Sequence, residues 1–256
     1  MVIDAPSHMS DRPRAVARVV VLALRTVGVA LLVASTVLGA RAAWSRFGVC
    51  FGGDAPPVAD LPDGDPQGSC VLMQDHKYDF LVPDHPWVPI ADATVRDGVS
   101  LLLLGLGVAL VALSLPGRRY VRLLYALAGA WFAAAWIGMG VPELRSGLAG
   151  EPLGADAWQL ASVGADLALL ATAALAVLAG VRGGPDRWPF VVFWAAVTLA
   201  HPVPEYFFTV ILWSSHDASP LTGFFRSALV AAAAVAAAVS MVPPSRRRLP
   251  RRRGSG

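Results

Sequence analysis

Lysine is almost missing from this chain. Of 21 basic residues only Lys77 is a lysine, and the remainder are arginines. Charge of either sign is scarce, at 15% of residues against about 25% in soluble domains. Cysteine is confined to Cys50 and Cys70, with no CxxC or Cys/His spacing of the kind that holds zinc. No GxSxG elbow, Walker loop or GxGxxG turn after a strand is present, so the usual hydrolase, nucleotide-binding and dinucleotide-binding signatures are absent. The bias towards Arg, Ala, Gly and Pro is that of GC-rich coding, as in many bacteria.

What fills the space instead is apolar residue, 55% of the chain, with a mean hydropathy of +0.56. The excess lies in uninterrupted runs, which is the pattern of membrane proteins. The runs predict an all-α integral membrane protein with six transmembrane helices, at 19–40, 99–115, 120–141, 158–181, 188–213 and 221–242. Residues 1–18 form a polar arm, 41–97 one long polar loop, and 243–256 an arginine-rich tail. Ala40-Arg41-Ala42 has the shape of a signal-peptidase site, but the preceding run of about 22 residues exceeds a signal h-region of roughly 7–15, so an uncleaved anchor is expected. Arg25, within that run, is expected to snorkel to the headgroups. The fifth run contains His201-Pro202-Val203-Pro204-Glu205, and two prolines there remove helix donors, so a kink or break is expected.

Threading six crossings with both termini cytoplasmic places 14 basic residues inside and 6 outside, leaving Arg25 in the membrane. The positive-inside rule selects this orientation. The 41–97 loop is then extracytoplasmic, where a Cys50–Cys70 disulfide persists. The expected location is the cell membrane, with the bilayer as solvent and anionic lipid, rather than nucleic acid, against the arginine tail.

Two sets of residues could carry chemistry. In the loop, Asp75, His76, Asp79, Asp84 and His85 offer carboxylate and imidazole. Their spacing matches no metal pattern, and Asp in such positions commonly bonds its own backbone two residues on. Neither a metal site nor a cofactor is expected. A short strand is plausible over 78–82, with Tyr78, Phe80 and Trp87 settling at the outer membrane surface. In the bundle, Asp166, His201, Glu205 and Arg226 all fall in the outer third by helix rise. They are expected to converge, with Asp166 partnered by His201 or Arg226, because an unpaired charge in lipid is costly. Without catalytic motifs, a non-enzymatic envelope protein whose loop docks a protein or small-molecule partner is the first functional reading. The alternative is a small transporter or membrane-embedded enzyme using the polar layer; a broken fifth helix opening into a water-filled cavity would favour it, and a sealed, fully paired layer would favour the first reading.

Overall fold

A computed structural model describes residues 12–58, 65–81, 83–90, 92–181, 187–213 and 217–242. The N-terminal arm, the arginine tail and part of the Pro/Asp-rich loop lie outside these residues. The described chain is helical, with no strand among its residues: α1 (Arg12–Phe47), α2 (Pro66–Leu72), α3 (Ala93–Leu113), α4 (Arg119–Ala149), α5 (Ala155–Val181), α6 (Trp188–Leu199), α7 (Pro202–Leu212) and α8 (Phe224–Val239).

Helices α1, α3, α4 and α5 are each long and apolar enough to cross a membrane. The 36 residues of α1 extend about 54 Å at roughly 1.5 Å per residue, well beyond a hydrocarbon core of about 30 Å. Its far end therefore stands clear of the bilayer and supports the loop. Helix α4 does not stop at Pro142 but runs seven residues further. The proline is tolerated because packing against α3 holds the last turns, where a Cβ on Gly147 would lie 2.8 Å from the Val95 backbone nitrogen.

The fifth apolar run is not one straight crossing. Helices α6 and α7 meet at 79°, with the break at Ala200-His201. Pro202 opens α7, and His201 takes extended backbone angles as its cap, with Nδ1 accepting from Val203 N at 3.2 Å. Helix α6 alone has 12 residues, about 18 Å, too short to span the core. Helix α7 exposes Phe207, Ile211 and Leu212, as a helix lying at a membrane surface does.

The bundle core lies around α3, whose Leu101, Leu104, Val108 and Val111 are buried against Leu32, Phe132, Trp136, Trp194 and the alanines of α8. The opposite side of α5 is bare, with Leu160, Leu170 and Val177 exposed, which suits contact with lipid. Close approach of α3 and α4 depends on Gly98 and Gly140. A Cβ on Gly98 would lie 2.6 Å from the Leu144 backbone nitrogen, and one on Gly140 would lie 2.8 Å from the Gly98 carbonyl oxygen. Arg25 does not snorkel. It is buried, donates to Ser114 Oγ at 3.0 Å and Ser240 Oγ at 3.1 Å, and so ties α1, α3 and α8 together at one end. Serines reach it there, so the guanidinium is satisfied without leaving the protein.

At the other end, the loop folds into a cap. Cys50 and Cys70 are bonded, S–S 2.05 Å, joining the turn Gly48–Phe51 to α2. Phe47, Met73, Tyr78, Phe80 and Ile90 form a second core on Ala42, Ala43 and Ala93. The expected strand is absent from the described residues 78–81. Asp75 Oδ1 instead accepts from Lys77 N at 3.0 Å and winds His76–Tyr78 into a 3-10 turn, which places Tyr78 and Phe80 inside the cap. Trp44, Phe51 and Trp213 are exposed at this end, with Phe51 edge-on to Trp213 at 5.5 Å.

Candidate functional site

The cap is fixed by Arg46, near the end of α1 and 2% exposed. Its Nε donates to Met73 O at 2.7 Å, its Nη2 to Asp75 O at 3.0 Å, and its Nη1 pairs with Asp79. One side chain thereby satisfies two loop carbonyls and one carboxylate. Burial pushes the Asp79 carboxyl above its ordinary range, against the pull of the adjacent guanidinium. Asp79 is thus a structural partner of Arg46 in this geometry.

The other loop residues separate. Asp75 and His76 meet Asp217 from the α7–α8 link, and one ligand atom from each lies within 4.8 Å of the others. His76 N donates to Asp217 Oδ2 at 2.9 Å, so the group stitches the loop to that link. Asp84 accepts from the backbone of His85 at 2.8 Å, which is local turn chemistry. Asp84 and His85 do not join the Asp75–His76–Asp217 group.

The intramembrane residues also separate, into two groups. Asp166 Oδ1 lies 3.5 Å from His201 Nε2, but its side chain is 59% exposed. Arg226 does not pair with Asp166. Its Nη2 pairs with Asp97 at the start of α3. Arg226 lies in the first turn of α8, and that helix has no capping side chain of its own. Glu205 of α7 takes over the role. Its Oε1 accepts from Gly223 N at 2.6 Å and from Arg226 N at 3.1 Å, placing a carboxylate at the positive end of the helix. Glu143 of α4 is 1% exposed and lies beside Asp97.

Four helices therefore bring Asp97, Glu143, Glu205 and Arg226 together, each no more than 2% exposed. The Gly98–Gly140 contact sets two of them side by side, since Asp97 adjoins Gly98 and Glu143 follows Gly140 by one turn. Pairing is incomplete. Both Glu143 oxygens, Asp97 Oδ2, Glu205 Oε2 and Arg226 Nη1 lack a hydrogen-bond partner. Below the cluster, Ser35 Oγ donates to Ser100 O at 2.8 Å, joining α1 to α3. Above it, the cap closes the bundle. A Cβ on Gly223, whose φ is +83°, would lie 2.9 Å from Ala43 Cβ and 3.3 Å from the Phe80 ring.

Asp97 and Glu143 escape sequence reasoning because each sits at the edge of an apolar run. Asp97 reads as the last residue of the loop, and Glu143 as the residue after a helix-ending proline. The signal that finds them is the small residue beside each, Gly98 and Gly140, which marks where backbones touch. No family model, curated protein or solved structure matches the chain.

Proposed function

We propose that this is a non-enzymatic, proton-binding carrier of the cell membrane, threaded with both termini cytoplasmic and with the disulfide-closed cap outside. The observation that carries this reading is the charge balance of the buried cluster. Three carboxylates face one guanidinium, and none of the four groups reaches solvent. A purely structural brace needs one carboxylate for one arginine. Leaving further ionised carboxylates buried costs several kcal/mol each. A proton shared by Glu143 and Asp97 removes one charge and supplies Glu143 with the bond it lacks. Asp97 then pairs with the Arg226 guanidinium, while Glu205 caps the N-terminus of α8.

Ionisable groups beside a broken helix are the arrangement by which carriers bind coupling ions near the middle of the bilayer. The break at His201 gives α7 a hinge, and α7 carries Glu205 to the cluster. Displacing α7 would withdraw Glu205 from the N-terminus of α8 and open the cluster beneath the cap. With α6 and the break after it counted as the fifth crossing and α8 as the sixth, fourteen basic residues lie on one side and six on the other, which supports the orientation. Docking by the cap is the weaker reading, because Tyr78 and Phe80 are spent on its own core.

Proteoliposomes with a trapped pH-sensitive dye test the proposal. Under an inward-driving potassium diffusion potential, wild-type vesicles should acidify faster than vesicles holding Glu143→Gln. Equal rates in wild-type, Glu143→Gln and protein-free vesicles would count against the proposal.

A further inference from the structure

The Asp75–His76–Asp217 group is separate from the buried cluster and has a chemistry of its own. His76 Nδ1 lies 3.3 Å from Asp75 Oδ1 and 3.4 Å from Asp217 Oδ2. A protonated imidazole bonded to a carboxylate stands closer, at about 2.7–2.9 Å. Two ligand atoms on a tetrahedral zinc ion, each about 2.0–2.1 Å from the metal, stand about 3.3 Å apart. Both contacts of Nδ1 match that edge. The nitrogen and the two oxygens all lie within 4.8 Å of one another, so one turn of a surface carboxylate closes the third edge.

The backbone holds the three donors in place. Lys77 N donates to Asp75 Oδ1 at 3.0 Å, and His76 N donates to Asp217 Oδ2 at 2.9 Å. Each carboxylate oxygen has a second lone pair, so it binds a metal while still accepting its N–H. Outer bonds of this kind orient metal ligands. Two further contacts fix the segments that carry the donors: Ala218 N donates to Gln74 O at 2.9 Å, and Arg46 Nη2 to Asp75 O at 3.0 Å. An imidazole with two carboxylates suits zinc better than magnesium or calcium, which take oxygen ligands. All three side chains reach solvent, so an ion has a path in and water fills the fourth position. The group is hidden in the sequence because Asp217 stands 141 residues from His76.

We propose that Asp75, His76 and Asp217 bind one zinc ion, which bridges the cap to the link between α7 and α8. Asp84 and His85 stand apart from the group and take no part. Two carboxylates this close repel each other, and a divalent cation between them reverses that. Because Asp217 lies beyond the end of α7, the bound ion restrains that end of the helix against the cap.

The test uses the full, untagged chain in detergent, stripped with a chelator and titrated with zinc chloride in a calorimeter. Wild type should bind one zinc ion per chain, and magnesium at the same concentration should not compete. His76→Ala removes the imidazole but keeps the backbone N–H that Asp217 accepts, so it should stay folded and lose the binding. Asp217→Asn should lose it as well, while Asp84→Asn with His85→Ala should keep it. Cobalt(II) reads the geometry: wild type should show the intense visible absorption of a tetrahedral ion, and His76→Ala should not. Absence of saturable zinc binding by wild type overturns the proposal. So does full binding retained by His76→Ala, or by Asp217→Asn, which would leave the ion on the loop alone.

Discussion

Arg226→Met removes the one cation from the buried cluster and retains most of the side-chain volume. Arg226 is 2% exposed and Asp97 is 0% exposed. The substitution strands Asp97, whose Oδ1 has Arg226 as its partner and whose Oδ2 has none. Breaking a buried pair from one side costs about 3–5 kcal/mol. At roughly 2–4 °C per kcal/mol for a chain of this size, the unfolding midpoint should fall by about 10 °C. Asp97→Asn alone should cost less, because the asparagine carbonyl can still accept from the guanidinium. The double variant is the decisive arm. With the stranded carboxylate gone, Asp97→Asn with Arg226→Met should be milder than the sum of the two single changes by about 1–3 kcal/mol. Thermal unfolding in detergent, followed by tryptophan fluorescence, measures all four proteins. A midpoint for Arg226→Met within about 2 °C of wild type, or strict additivity of the pair, would refute the reasoning.

Other outcomes follow from the same geometry. Arg46→Ala should cost about 3 kcal/mol, because it leaves a carboxylate and two carbonyls unpaired, whereas Asp79→Asn should cost nearer 1 kcal/mol; limited proteolysis of the cap should rank them in that order. Gly140→Leu should force α3 and α4 apart and yield aggregated protein on size-exclusion chromatography, while Gly164→Leu, where an added Cβ meets only Ala135 at 3.7 Å, should elute as wild type. Asp166→Ala should not lower stability in the same unfolding assay, because the carboxylate is mostly exposed on a helix that faces lipid, where a charge is costly, and its ion pair among the described residues is with His201 alone.

The helical fold and its long apolar helices are legible in the sequence because apolar runs of membrane length have few other structures open to them. The disulfide is legible because both cysteines fall in the same polar segment. The cap core is not. Tyr78 and Phe80 alternate with polar neighbours as a strand would, and only the Asp75 turn and the Arg46 anchor decide otherwise. The partner of Arg226 is also hidden. Helix rise places Asp166 at a matching depth, but depth gives no direction around the helix axis, and α5 turns Asp166 towards the outside of the bundle. Asp97 and Glu143 face inwards because Gly98 and Gly140 bring their backbones together, a contact between segments more than 40 residues apart.

In the proposed carrier the buried cluster holds an exchangeable proton. Infrared difference spectroscopy of wild type against Glu143→Gln, in detergent, reads it directly. A protonated-carboxyl C=O band at neutral pH, absent in the variant, shifted in deuterated water and lost as the pH is raised, is the expected result. A difference spectrum with carboxylate bands alone, at every pH at which the protein stays folded, would contradict the account.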